Sequence, residues 1–237
     1  METENNILSN YNNKIPLKIF QTWETKTLPK YMKNVTDTIR RCNPEFEYFL
    51  YDDKDCENFI KNNYSNDVLS AFNTLIPGAY KADLWRYCIL YFYGGIYVDI
   101  KFKPINNYKF INIINQEYYV NDVEKSLNGI YNGLIISKQR NIKLFQCIEQ
   151  IVSNTKLKFY GETFLHVTGP KLFDKFFTNE EKKNNIMKLY IINDKHNIIM
   201  NKSIILSEYT EYRDEQRKGN SKEHYGSLWN KRNIYMN

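Results

Sequence analysis

Cysteine and histidine are scarce in this chain, and neither is spaced for metal or disulfide chemistry. The four cysteines, Cys42, Cys56, Cys88 and Cys147, show no CxxC spacing and have no neighbouring histidine, so a zinc site is not expected. Two of them fall on apolar helical stretches, where a reduced thiol packs as a small hydrophobe. That usage suits a reducing compartment. Long apolar runs are also missing: Gly94-Gly95 and Asp99 interrupt the best candidate, so no segment is expected to span a bilayer. The opening METENNILSNYNNK lacks both a basic n-region and an apolar h-region, and no secretory signal is read there. These absences predict a soluble protein, cytoplasmic or cytoplasm-facing. Concentrated positive charge is absent too. The net charge of +6 is spread along the chain, and the denser runs Lys138–Lys143, Lys182-Lys183 and Arg213–Lys222 carry acidic residues in or beside most of them. They read as solvated helix faces, which argues against a nucleic-acid partner.

What remains is a globular composition, 42% hydrophobic with 16% aromatics in 237 residues, enough for one well-packed domain. Residues 1–14 read as a disordered segment and residues 15–237 as a single domain, with no internal repeat or dividing linker. Ile15–Trp23 reads as a short buried strand beginning after Pro16. A helix over Pro29–Asn43 is closed by Asn43-Pro44, and Phe46–Tyr51 is a second strand, followed by a helix capped by Asp52 or Asp53. Strand, helix, strand, helix predicts an α/β fold with a mainly parallel sheet. Ser65–Leu75 is helical, and Pro77-Gly78 turns the chain into a helix opening at Lys81 or Ala82. Further on, Glu117–Asn121 and Leu134–Ser137 are strand-like, with Asn132-Gly133 turning into the second. Ile142–Val152 is an amphipathic helix, Thr168-Gly169-Pro170 opens another, and Leu189–Ile192 and Ser203–Leu206 are short strands.

The most informative stretch is Ala82–Lys101, ADLWRYCILYFYGGIYVDIK. It reads as a helix, a Gly94-Gly95 turn and a strand. Asp83 and Arg86, three apart, share a helix face. On the strand Ile96, Val98, Ile100 and Phe102 point one way and Tyr97, Asp99 and Lys101 the other. An acid, a base and a phenol in one row are costly to bury for structural reasons alone, so this row marks a site.

This stretch resembles the core motif of the DXD-containing sugar transferases of the Och1-like type, glycosyltransferase family 32, and the related glucosylating domains of large clostridial toxins. Asp83, Arg86, Tyr87, Gly94, Gly95, Tyr97 and Asp99 fit that pattern, whereas Lys101 stands where the second aspartate of the DXD is usual. Ile15-Pro16 with Ile19-Phe20-Gln21-Thr22-Trp23 resembles the family's opening strand, with Phe20 in place of a usual histidine. His224-Tyr225-Gly226-Ser227-Leu228-Trp229 resembles its closing segment. The resemblance implies a GT-A-type nucleotide-diphospho-sugar transferase fold, a central mixed sheet flanked by helices. It implies retaining transfer of a hexose, from a UDP-sugar by preference, to an acceptor on a glycan or protein.

By the same resemblance Asp83 and Arg86 hold hydroxyls of the donor sugar, and Asp99 contacts sugar or ribose and reaches a metal. Asp83, Arg86, Asp99 and Lys101 are the catalytic candidates. Phe20, Gln21, Thr22, Trp23, Tyr97, Ser227 and Trp229 are the donor-binding ones, with the Trp229 indole N–H offered to a phosphate oxygen. Asp99, His224 and Ser227 are the candidate ligands of a divalent cation, Mn2+ or Mg2+. Lys101 leaves three readings open. The metal binds more weakly through the remaining ligands and the diphosphate, or Lys101 reaches the diphosphate and partly replaces it. In the third, the site binds donor without turnover, as a nucleotide-sugar-binding module of a larger glycan-modifying system.

Overall fold

The computed structural model describes residues 15–123, 129–219 and 223–236. The segment 1–14, expected to be disordered, and residues 220–222 of the last charged run lie outside them. The first half alternates as the sequence predicts. Strand β1 (Lys18–Thr22) is followed by α1 (Lys30–Cys42), β2 (Glu47–Tyr51), α2 (Asp53–Asn63), α3 (Asn66–Thr74), α4 (Gly78–Tyr93) and β3 (Gly95–Val98). Asp52 is the cap of α2: its carboxylate accepts from the Asp55 N–H, and the Asp55 side chain accepts from the Asp52 N–H in return, satisfying two donors that the helix cannot. The second half contributes β4 (Phe102–Pro104), β5 (Tyr118–Asp122), β6 (Gly129–Ser137), α5 (Ile142–Lys156), α6 (Pro170–Asp174), α7 (Asn179–Asn184), β7 (Met187–Ile192), β8 (Lys195–Met200), β9 (Ser203–Glu208), α8 (Tyr212–Gly219) and α9 (Tyr225–Asn230).

The nine strands among the described residues join one mixed sheet in the order β2-β1-β3-β6-β5-β7-β8-β9-β4; most of its pairings are antiparallel, which corrects the expected mainly parallel sheet. β1 runs parallel to β2 and β3, so all three end at one edge, the edge where open α/β sheets receive ligands. The sheet also bends back on itself. Only Asp99, Ile100 and Lys101 separate β3 from β4, yet β4 stands at the far end of the strand order, paired with β9. The chain cannot reach further than about 3.5 Å per residue, so β9 must lie close to the end of β3. One core packs Phe20, Trp85, Tyr97 and Ile135 under α2–α5. A second packs Ile19, Ile96, Val98, Phe102 and Leu134 on the opposite face. The alternation read for β3 therefore holds through Val98.

Four local expectations are corrected. α4 opens at Gly78, so Asp83 lies in its second turn rather than its first. β3 stops at Val98: the Asp99 N–H donates to Gly133 O (2.7 Å) and Asp99 O accepts from the Phe102 N–H (3.0 Å), which turns the chain and carries Ile100 to a third cluster with Met32, Val35 and Tyr212. Asn132-Gly133 is interior to β6 and makes no turn. β8 was not read at all; its Asn193-Asp194 hairpin, with both residues at positive φ, is a turn signal of the usual kind. Among the described residues no helix is long and apolar enough to cross a membrane.

Gly94 (φ +65°) and Gly95 (φ +110°) make the helix-to-strand turn, and a Cβ on Gly95 would lie 2.6 Å from Lys18 O. Gly95→Ala is therefore expected to cost about 2 kcal/mol through backbone strain, lowering the melting temperature by about 4–8 °C in a chain of this size. A melting temperature unchanged from the parent protein would contradict this packing.

Candidate active site

Asp83 and Arg86 are one helical turn apart on α4 and both are buried. Arg86 Nη2 lies 3.4 Å from Asp83 Oδ1, and Nη1 lies 3.3 Å from Asp99 Oδ1. Nη1 also donates to Asn132 O (2.7 Å) and Nε to Ala82 O (3.2 Å). The guanidinium plane faces the Tyr97 ring at 4.3 Å. Two of its five N–H groups are thus bonded to backbone carbonyls, and its charge is paired with Asp83 and Asp99. Arg86 joins α4 to the turn after β3.

The Asp83 carboxylate accepts from Asn132 Nδ2 at Oδ1 (2.9 Å) and from Thr168 Oγ1 at Oδ2 (2.7 Å). Burial pushes its pKa above the ordinary carboxylate value, against the pull of Arg86 and of those hydrogen bonds. Asp99 accepts from the Tyr97 hydroxyl at Oδ1 (2.8 Å) and the Tyr131 hydroxyl at Oδ2 (2.9 Å). Burial opposes its charge as well, but Arg86, Lys101 and the two hydroxyls together hold its pKa below the ordinary value. Its side chain keeps 23% of its surface exposed. Gly133 is required here, because a Cβ would sit 2.2 Å from the Tyr131 hydroxyl and 2.5 Å from Asp99 Oδ2.

Lys101 closes the row. Its ammonium is 4.0 Å from Asp99 Oδ2 and 3.9 Å from Glu208 Oε2, close enough to pair charge but too long to be hydrogen bonds. Burial lowers its pKa, with Asp99 and Glu208 acting the other way. Glu208, at the end of β9, also takes His196 Nδ1 at 2.7 Å and Arg213 Nε at 3.1 Å. Burial resists its charge, and His196, Lys101 and Arg213 overcome that and lower its pKa. Arg213 sits on α8, which is fixed by Glu215: this carboxylate accepts the backbone N–H groups of Tyr31 and Met32 at the start of α1.

The other sequence candidates divide. Phe20 (1% exposed) stacks between Phe49 and Tyr93, and Gln21 (0%) spans Val98 O and the Tyr48 hydroxyl. Both side chains are built into the interior. The Thr22 hydroxyl is donated to Tyr51 O. Trp23 stays half-buried at the ligand edge, against the cluster of Ile100 and Tyr212. His224 accepts the Gly226 N–H at Nδ1 (3.1 Å) and caps α9, which carries Ser227. Burial, then the charge of Arg213, lowers its pKa. The Trp229 indole N–H is donated to Tyr160 O (2.7 Å). α9 nonetheless lies over the site: Tyr225 packs on Tyr80 and Phe164 and feels the charges of Asp83, Arg213 and Asp99. Among the described residues no three His, Cys, Asp or Glu side chains form a group able to hold a metal ion.

Tyr131, Asn132, Thr168, Glu208 and Arg213 belong to this network and were not singled out from the sequence as site residues. Asn132 and Thr168 fall in segments that match the family's punctuation but have the composition of generic turns. The last aspect was hidden by topology, because nothing local in the sequence places β9 beside β3.

Comparison with known proteins agrees with this geometry. Residues 29–121 match the family model described as a glycosyltransferase sugar-binding region containing a DXD motif. The initiation-specific alpha-1,6-mannosyltransferase of Candida albicans is 31% identical over 128 residues, covering 50% of this chain and 32% of that protein. Inositol phosphoceramide mannosyltransferase 2 of Schizosaccharomyces pombe is 37% identical over 86 residues, covering 36% of this chain and 25% of its own length. The chain thus spans a third or less of these two relatives. Among solved structures, the PaToxG glycosyltransferase superposes with a TM-score of 0.54 at 15% identity, covering 73% of this chain and 74% of that one. The fold is GT-A-type, and the resemblance read from Ala82–Asp99 is borne out.

Two tests follow from the packing around Asp99. Its depressed pKa means that it contributes stability above its unfolded value near 3.9, a contribution lost as pH falls through the lower folded value. Acid unfolding followed by circular dichroism should therefore be less steep below about pH 4 in Asp99→Asn than in the parent; identical profiles would contradict the assignment. Gly133→Ala should displace the Tyr131 hydroxyl from Asp99 and destabilise the fold by about 1–3 kcal/mol, read as a lowered melting temperature, and an unchanged melting temperature would show that this contact is dispensable.

Proposed function

We propose that residues 15–237 act as one glycosyltransferase domain that moves a hexose from a nucleotide-diphosphate sugar to an acceptor hydroxyl, with retention of anomeric configuration. The observation that carries this reading is the convergence, through Arg86, of Asp83 on α4 and Asp99 after β3 at the carboxyl edge of the parallel strands. The matched sugar-binding region supports it independently. The named activities of the fungal relatives favour mannose as the sugar, whereas the motif alone favours a UDP-hexose.

The chemistry asked of the site is modest. The bond between the anomeric carbon and a phosphate oxygen breaks, the acceptor oxygen bonds to that carbon on the same face, and the acceptor proton passes to the departing phosphate. No protein base is needed for the last step. Each carboxylate oxygen can accept two hydrogen bonds, so Asp83 retains capacity for sugar hydroxyls after Asn132 and Thr168 have fixed its orientation. A carboxylate held in this way has nothing to reorganise when the donor arrives. Asp99, more open, is placed to meet the ribose or the sugar, with Trp23 and Tyr225 as flanking rings.

Incubation with GDP-mannose, UDP-glucose and UDP-galactose, reading nucleotide release and the anomer of the freed sugar, tests the proposal. Slow release from one donor with its anomeric configuration kept is the expected result. Asp83→Asn and Asp99→Asn should each lower that rate by about 10²–10³-fold, with folded protein in both cases by circular dichroism. Absence of both release and binding for every donor would reject the reading.

A further inference from the structure

The charge at the site is balanced in an unusual way. Three carboxylates, Asp83, Asp99 and Glu208, face three cations, Arg86, Lys101 and Arg213, through successive pairs. An aspartate in place of Lys101 would leave four carboxylates against two cations, a surplus of negative charge suited to a divalent ion. With lysine the surplus disappears. Part of the acceptor capacity a metal would draw on is also taken up. Asp99 accepts from two tyrosine hydroxyls and pairs with Arg86, Glu208 is held by His196 and Arg213, and His224 Nδ1 caps α9. Arg213, paired with Glu208 at 3.1 Å, adds its positive charge to that of Lys101. The donor set present does not fit a divalent cation.

The Lys101 ammonium has the opposite character. It is 11% exposed, held 3.9–4.0 Å from two carboxylates, and lies 5.5 Å from the Tyr131 ring centre. Those distances leave its N–H groups without close acceptors in Asp99 and Glu208. An anionic phosphate oxygen entering beside Asp99 would supply one, as a charge-assisted bond in a partly water-excluded setting.

We infer that this site neutralises the nucleotide diphosphate with its own cations, Lys101 foremost and Arg213 beside it, and works without a divalent metal. The inference rests on the nucleotide-sugar reading above and specifies its electrostatics. The charge developing on the leaving diphosphate is then met by preorganised ammonium and guanidinium groups at fixed positions.

Calorimetric titration of the whole protein with UDP and with GDP, in EDTA and in Mn2+, separates the possibilities. The expected result is that one nucleotide binds with an affinity changed less than about threefold by the metal, a difference well under 1 kcal/mol. Lys101→Met should weaken that binding about tenfold or more and Lys101→Arg should restore most of it. Lys101→Asp should bind nucleotide only when Mn2+ is added. Binding by the parent protein in Mn2+ but not in EDTA would overturn the inference while leaving the donor reading intact. Failure of both nucleotides under both conditions would overturn the two together. The parent titrations decide the matter even if a variant fails to fold.

Discussion

Everything at this site depends on keeping one guanidinium charged and desolvated. Burial opposes the charge of Arg86, but Tyr97, Asp99 and Asp83 surround it and keep its pKa above the ordinary arginine value. Breaking a buried pair of this kind by removing one partner is far more costly than its net contribution suggests, because the remaining charge is left unpaired. Arg86 ties a helix, a strand end and the Asn132 carbonyl of β6 into one group.

The backbone around it is shaped to permit this. β6 pairs with β3 through Leu134–Ser137 and with β5 at Gly129–Tyr131 and again at Ile136, its register against β5 shifting between Tyr118 and Val120. Asn132 and Gly133 lie in the irregular stretch. There the Gly133 carbonyl takes the Asp99 N–H, and the Asn132 side chain reaches Asp83 and the Tyr87 hydroxyl. Irregularities of this kind re-aim side chains next to active sites. The curl of the sheet then delivers Glu208, and with it His196 and Arg213, to the far side of Lys101. Lys101 is thereby a member of a fixed charge array, which gives its presence in the motif a physical meaning.

Much of this was legible in the sequence. The α/β alternation, the Gly94-Gly95 turn and the row Tyr97, Asp99, Lys101 follow from periodicity and turn chemistry, and they locate the site. The polar row holds even though the strand ends at Val98, because the Asp99–Phe102 turn keeps Asp99 and Lys101 beside Tyr97 and Tyr131. What could not be read is long-range. Phe20 and Gln21 look like a ligand-facing strand end until β2 and β3 are placed on either side of them. Asn132-Gly133 has the composition of a turn, and only pairing to two neighbouring strands reveals a bulged strand. Glu208 and Arg213 have no local signature, since their role arises from the pairing of β9 with β4.

The most direct test of the central claim is a crystal structure of the protein with an intact or hydrolysis-resistant nucleotide sugar. The expected arrangement has sugar hydroxyls within hydrogen-bonding distance of Asp83, the ribose or sugar against Asp99, and a phosphate oxygen within about 3 Å of Lys101 Nζ. A nucleotide sugar bound away from these three side chains, with the Arg86 network undisturbed, would contradict it.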